Sequence, residues 1–328
     1  MARLRRRKNQ IGFGGTLITP LHRRYVNQVL SSGRLSYGPF LKRFEREFAA
    51  LHNRRFAVSA NSGTSALQVA IHALKDLDGW KDGDEILVPA ITFIASSNAI
   101  LHNRLRPVFV DVDPRTYHIN PTEIEKHITR RTRAIMPVHL FGVSADMRPI
   151  VRIARRRKLR LIEDSSQAML VRYRGKPVGS AGDIACYSTY VPHLASTGVG
   201  GMALSDDPKI AIALRSLTCH GRDNIYLAAD DDRGLTGRAL EEVVRRRFNF
   251  VTVGYSYRLT ELEGALGVAE LARIKRNIAI RQRNAGKLLV GLRPYQAFLQ
   301  LPWWPPHSEH AFMLFPIVVK AKKFSRDD

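Results

Sequence analysis

Three short segments of this sequence gather residue types that carry chemistry, each at the end of an apolar run. The first is Asn61-Ser62-Gly63-Thr64-Ser65, directly after a β-branched run and directly before a helical pattern. Free backbone N–H groups at a helix N-terminus, hydroxyls and a glycine permitting close approach make a phosphate cradle. The same residues also suit an ordinary strand-to-helix turn with a serine or threonine cap. The second is Leu161-Ile162-Glu163-Asp164-Ser165-Ser166-Gln167-Ala168, where two acids and a glutamine close an apolar strand. Carboxyl ends of strands face the ligand crevice in open α/β sheets. A carboxylate there can hold a cationic ring nitrogen such as that of pyridoxal phosphate, whose protonated pyridine is an electron sink. Asp164 is as well suited to capping a following helix. The third runs from Tyr187 to Gly201, with hydroxyls, His193 and a glycine-rich turn between two apolar runs. Such a loop on rigid elements suits a site, although a lone histidine is more often structural than catalytic.

The elements that must position these residues follow from hydrophobic periodicity. From Arg54 onward, short β-branched runs alternate with longer stretches of helical period, which indicates an α/β layer architecture. Strands are predicted over 56–60, 85–88, 107–110, 134–138, 159–163, 184–187 and 201–204, and helices over 64–77, 95–103, 121–127, 146–158 and 208–217. Pro121 and Pro208 stand at first-turn positions. The expected fold is a doubly wound, largely parallel sheet flanked by helices. Residues 228–242, polar and acidic, read as a surface loop, and a long helical pattern over 260–292 leads toward a smaller C-terminal part with a strand or two. The expected organisation is a basic arm over 1–14, a large α/β domain over 15–275, and a linking helix with a partial small domain over 276–328.

Composition narrows the classes. The 328 residues, 45% hydrophobic and 25% charged, suffice for a full core and exclude disorder as the main state. Two cysteines, Cys186 and Cys219, make no disulfide framework and no metal-ligand spacing, which points to a reducing, cytoplasmic setting; both are expected to be buried structural thiols without a cationic neighbour. No run approaches the ~18 apolar residues of a membrane span. The basic start has no apolar region behind it, so a secretory signal is not expected.

Lys and Arg number 52 against 29 Asp and Glu, a net charge of +23, so anionic partners are expected. The basic clusters at Arg3–Lys8, Arg152–Arg160 and Arg245–Arg247 read as a terminus, a helix end and a loop. With 8% aromatics and no binding motif, they fit a solvated surface and attraction of a nucleotide diphosphate better than nucleic-acid recognition.

Taken jointly, the order and spacing of SGTSAL, GDEILVPAITFIAS, PVFVDVDP, TRAIMPVHLFG, EDSSQA, TGVGGM and GYSYRLTELEGALG resemble the DegT/DnrJ/EryC1/StrS family of sugar aminotransferases, from about residue 15 to the end. The resemblance implies a fold-type I pyridoxal-phosphate architecture, a homodimer, and nucleotide-linked keto sugars as substrates. It implies that Gly63 and Thr64 meet the cofactor phosphate, that Phe93 lies against the pyridine, and that Asp164 pairs with the ring nitrogen. It further implies Gln167 near the phenolic oxygen and Ser188 as a phosphate contact. Ser256 stands where an asparagine often reaches across the dimer to the phosphate; serine is shorter but still a donor.

One departure governs the mechanism. Most members carry a lysine five positions after the serine, and here that position is His193. Imidazole can shuttle a proton near neutrality but cannot form a stable imine with the cofactor. The family's lysine-less branch, the 3-dehydratases of GDP- or CDP-linked 4-keto-6-deoxy sugars, uses histidine here with pyridoxamine phosphate, and glutamate would regenerate the amine. The alternatives are a sugar aminotransferase of amino-sugar or polysaccharide biosynthesis and a silent paralogue that binds sugar nucleotide or a partner. Val199 replaces a usual acid in the glycine turn, Thr189 replaces a frequent phenylalanine, and His139 either approaches substrate or is a satisfied histidine of the crevice wall. The end at Asp328 implies a small domain reduced or cut short, with apolar surface exposed around 312–319.

Overall fold

The computed structural model describes residues 15–223, 234–246 and 248–320. The basic arm over 1–14, residues 228–233 of the 228–242 segment and the last eight residues therefore lie outside the described residues. In chain order the elements are α1 (Pro20–Ser32), α2 (Pro39–Leu51), β1 (Phe56–Ala60), α3 (Gly63–Asp78), β2 (Glu85–Pro89), α4 (Ile94–His102), β3 (Arg106–Val110), α5 (Pro121–Ile124), β4 (Thr132–Ile135) and α6 (Met147–Arg157). There follow β5 (Arg160–Asp164), the small hairpin β6 (Arg172–Tyr173) and β7 (Lys176–Pro177), β8 (Ile184–Ser188), β9 (Gly201–Ser205), α7 (Pro208–Thr218), α8 (Gly237–Arg246), α9 (Glu261–Leu271), α10 (Ile274–Leu292), β10 (Leu299–Gln300) and β11 (Val318–Val319).

Seven strands form one sheet in the order β1-β9-β8-β5-β4-β2-β3. Only β9 runs against its neighbours, pairing antiparallel with both β1 and β8. The carboxyl ends of the other six strands therefore share one edge. Strands β2, β8 and β9 are buried along their whole length, as expected of strands covered on both faces. Alternation divides the core: Leu87 and Leu161 join the cluster under α2, α6 and α9, whereas Ile86, Val88 and Ile162 join the one under α3, α4 and α7.

Helices α1 and α2, ahead of the region where elements were predicted, dock on α9. Glycine makes the approach close: a Cβ at Gly264 would stand 2.7 Å from the Leu41 nitrogen. The Glu261 carboxylate accepts the Phe40 and Leu41 N–H groups at 2.6 and 3.0 Å, capping α2 where its own N-cap, Gly38, has no side chain.

Three expectations need correction. The pattern over 260–292 is two helices: α9 stops at Leu271, and Arg273 turns back to donate to Glu270 and to the Leu17 carbonyl. Residues 237–242, read as loop, begin α8, because an amphipathic stretch of good helix formers outweighs the flanking glycines; Arg245 and Arg246 accordingly end a helix, and Arg247 is not described. Strand β4 spans Thr132–Ile135 rather than 134–138, since Pro137 offers no N–H to a ladder; its carbonyl instead accepts the Asp164 N–H. In the C-terminal segment, Ala311 to Met313 are buried while Leu314 and Ile317 to Val319 are partly exposed, so the apolar surface expected there is confined to its later half.

Candidate active site

The site lies along the edge where β1, β5 and β8 end. Ser62 is the N-cap of α3 and its hydroxyl accepts the Ser65 N–H at 3.0 Å; the Ser65 hydroxyl in turn donates to Asn61 at 2.7 Å. The capping reading thus holds, and the same turn is closely approached by the end of β8. A Cβ on Gly63 would sit 2.7 Å from the Ser188 Cβ and 3.2 Å from its Oγ, so only glycine lets the helix start approach the end of β8. Thr64, half-buried, occupies the same first turn. Gly201 opposes the Ser62 carbonyl just as closely, which accounts for the glycine turn that leads into β9.

Asp164 ends β5 almost fully buried. Its Oδ2 accepts the Ser96 hydroxyl at 2.7 Å, and its Oδ1 accepts the Ser166 hydroxyl at 2.7 Å and the Ser166 N–H at 3.2 Å. No helix follows it, so the alternative of a helix cap falls; the local bond to Ser166 closes a turn. Gln167 accepts the Phe141 N–H on its amide oxygen at 2.7 Å, which turns its NH2 group away as a donor. Phe93 stands at the start of α4, three residues before Ser96, with its ring exposed.

His193 is held on the loop after β8 by donation of its own N–H to the Tyr190 carbonyl at 2.9 Å. Its Nδ1 is buried and has no hydrogen-bond partner. Burial pushes the imidazole below the usual histidine range; the Asp164 carboxylate and the Ser166 backbone oppose that shift. The residue also forms part of the wall of a cleft of about 630 Å³ bounded by the 191–196 loop, residues 15–17, α10 and Met313–Leu314. Asn277, Arg281 and Asn284 face this cleft at helical spacing on α10.

The remaining candidates separate. Ser256 accepts from the Arg258 guanidinium at 2.9 Å, and the next residue, Tyr257, accepts the Asn61 N–H at 2.7 Å on its carbonyl, so within one chain this segment flanks the α3 turn. His139 is fully enclosed: Nδ1 accepts the Ala145 N–H, which leaves Nε2 to donate to Glu163 at 3.0 Å, so it is the satisfied wall histidine. Cys186 is buried, as expected, and burial raises its thiol. Cys219 corrects the expectation: it is half-exposed and lies 3.6 Å from the Arg258 guanidinium, a neighbour far away in sequence.

Sequence reasoning passed over Ser96 and Ser166, the two groups that orient Asp164. The available signal was the Ser96-Ser97 pair inside an otherwise apolar helical run. It also passed over the α10 face, whose 277, 281 and 284 spacing was legible.

A helix start that only glycine can occupy, a buried oriented carboxylate, an exposed aromatic ring and a partnerless buried imidazole nitrogen fit a flat cationic ring with a phosphate tail. Among the described residues no group of His, Cys, Asp and Glu could hold a metal ion, and no helix is long and apolar enough to cross a membrane.

The sequence profile of the DegT/DnrJ/EryC1/StrS aminotransferase family matches residues 17–328. A GDP-perosamine synthase of Caulobacter vibrioides is 39% identical over 251 residues, which are 76% of this chain and 61% of that protein; the match thus spans less than two thirds of that relative's length. Among solved structures, the Escherichia coli GDP-4-keto-6-deoxy-D-mannose-3-dehydratase with bound hydrated pyridoxal phosphate is 26% identical, with a TM-score of 0.86 over 96% of this chain and 80% of that one. Streptomyces venezuelae DesV in complex with a ketimine intermediate is 33% identical, with a TM-score of 0.80 over 92% of this chain and 74% of that one.

Proposed function

The chain belongs to the DegT/DnrJ/EryC1/StrS aminotransferase family and has a fold-type I α/β architecture, and from that premise we propose that it is a pyridoxal/pyridoxamine-phosphate enzyme of the lysine-less 3-dehydratase kind, acting on a nucleotide-linked keto sugar in deoxysugar biosynthesis. The observation that carries this reading is the Nδ1 of His193, buried without a partner at the wall of the cleft.

When bound, the cofactor supplies an amino group for the sugar's carbonyl and a ring that takes up electrons. Free N–H groups at Gly63 and Thr64 bind its phosphate, with the Ser188 hydroxyl as a further donor. Asp164, held by Ser96 and Ser166, keeps the ring nitrogen protonated; Gln167 donates its NH2 to the phenolic oxygen, and Phe93 covers the ring and excludes water. Burial keeps His193 neutral at neutral pH, so Nδ1 can accept a proton from carbon. The imidazolium so formed would be stabilised by the nearby Asp164 carboxylate and could hand the proton to the sugar's 3-hydroxyl, which then leaves as water.

The working protein in this reading is a cytoplasmic homodimer in which Ser256 reaches the partner's phosphate site, with glutamate as amino donor. In this reading a cofactor domain spans 15–275, and a linking helix with small-domain residues spans 276–328. The GDP-perosamine synthase relative favours a second reading, an aminotransferase of amino-sugar or polysaccharide biosynthesis; a silent sugar-nucleotide or partner-binding paralogue is the third.

The deciding experiment supplies pyridoxal phosphate, glutamate and a GDP- or CDP-4-keto-6-deoxyhexose. Loss of water from the sugar, abolished in His193→Asn with cofactor binding spared, supports the dehydratase. An amino sugar as the only product supports the aminotransferase, and binding without turnover the silent paralogue. A cofactor aldimine on any lysine, trapped by borohydride reduction, defeats the argument from His193.

A further inference from the structure

The basic cluster on α6 has a second role in the structure that the active site does not absorb. Arg148, Arg152 and Arg155 recur at the i, i+4, i+7 spacing of one helical face, and all three are exposed. They border a cleft of about 560 Å³, outside the site already described, whose opposite wall is the β6–β7 hairpin with Arg174 and Lys176. Met147, Val151, Tyr173, Pro177 and Val178 give it an apolar floor.

None of these five cations forms an ion pair among the described residues, whereas the next two arginines of the helix do: Arg156 and Arg157 are both tied to Glu125, at 2.6 and 3.1 Å. The one carboxylate in the cleft lining, Glu163, is fully buried and already receives the Gly179, Ala181 and Gly182 N–H groups and His139. Asp146, the exposed N-cap residue of α6, accepts the Tyr173 hydroxyl and keeps its charge beside Arg148.

This placement is unfavourable for the protein alone. Like charges at i, i+4 repel. Arg148 lies in the first turn of α6, where the helix dipole opposes a cation; no acid stands in that turn, and the N-cap Asp146 is the one carboxylate beside it. Arg155 is explained by the dipole at the C-terminal end, but Arg148 and Arg152 are not. Arg174 holds a left-handed conformation, φ 50°, at the tip of a two-residue hairpin where asparagine or glycine is less strained.

We propose that this cleft binds the polyphosphate chain of a nucleotide, with the five cations on the phosphates and the apolar floor under the base. The volume lies within the range of small-molecule sites. The three helix arginines span ~10 Å of axis, long enough for a triphosphate and its sugar. A nucleic-acid strand would need cations that continue along a track, whereas here Glu125, paired with both Arg156 and Arg157, interrupts the run between the cleft and the exposed Lys158.

Binding is measured by calorimetry on the full chain with GTP, with tripolyphosphate and with a single-stranded RNA 20-mer. Exposed arginine to alanine changes leave a helix intact, which circular dichroism verifies. Arg152→Ala/Arg155→Ala is expected to weaken GTP at least tenfold, Arg148→Ala/Arg174→Ala to do the same, and Arg156→Ala and His193→Asn to leave it unchanged. Unchanged GTP affinity in both double variants overturns the site. Tripolyphosphate is expected to compete more weakly than GTP, and equal affinity overturns the seat for the base. RNA bound tenfold more tightly than GTP overturns the small-ligand assignment in favour of nucleic acid. None of these readouts depends on turnover, so the cleft stands or falls separately from the dehydratase reading.

Discussion

The Ser96 hydroxyl lies 2.7 Å from Oδ2 of Asp164, so a side chain on α4 orients the carboxylate that closes β5, 68 residues further along the chain. Ser166 holds the other oxygen, and the two hydroxyls leave the carboxylate a single rigid orientation toward the crevice. A hydrogen bond to a charged group is worth about 1.5–3 kcal/mol. Ser96→Ala, which leaves a buried carboxylate oxygen short of a donor, is therefore expected to lower the melting temperature and to weaken pyridoxal-phosphate binding roughly tenfold or more. Cofactor titration followed by absorbance checks this, and an unchanged dissociation constant would remove Ser96 from the site.

Gly63 and Ser188 form the second tight relationship. Gly63→Ala puts a methyl group 2.7 Å from the Ser188 Cβ, and overpacking of this kind costs about 1–3 kcal/mol. The expected result is a lower melting temperature together with loss of cofactor affinity. Adding Ser188→Gly removes the obstructing atom and should recover stability but only part of the affinity, because the serine hydroxyl is gone as well. Failure of the second change to restore the melting temperature would refute the steric account.

The pH profile tests the role of His193. Its imidazole is held below the ordinary value of 6.5, and only the neutral form accepts a proton. Activity is thus expected to be flat through neutrality and to fall on the acid side with a midpoint below 6.5. An acid limb centred above 6.5 would mean that some other group titrates.

Three further histidines predict acid lability. Burial pushes His52 down to about 4, His118 to about 3 and His310 to about 4. Each accepts a backbone N–H, from Leu170, Leu140 and Phe312 respectively, and protonation would destroy that acceptor. The unfolded chain takes up these protons near pH 6.5 and the folded one only near 3 to 4. Their contribution is therefore complete above pH 6.5 and is lost as pH falls toward 4, at roughly 1 kcal/mol per histidine per pH unit. Urea midpoints at pH 7, 5.5 and 4.5 should fall steadily; a flat series would contradict the burial of all three.

The sequence by itself determined most of the sheet and the chemistry of its edge. Strands such as 85–88 and 107–110, apolar and β-branched between helical patterns, have one good conformation, and Gly63, Asp164 and Ser188 fall at or just past strand ends, with His193 on the loop after β8, by local order alone. Contacts between distant segments required the folded chain. Helix α2 depends on a groove that Gly264 and Gly267 create in α9 and on a cap supplied by Glu261, more than 200 residues away, and α1 on the bond between His22 and Glu270. The break at Arg273, the Ser96 hydroxyl on Asp164, Arg258 beside Cys219 and the five cations around one cleft are likewise meetings of side chains. Periodicity records which face a residue takes, because that is set within a few residues; which side chain waits on the opposite wall is set only when the layers pack, and there the orientation of the carboxylate and the enclosure of His193 are decided.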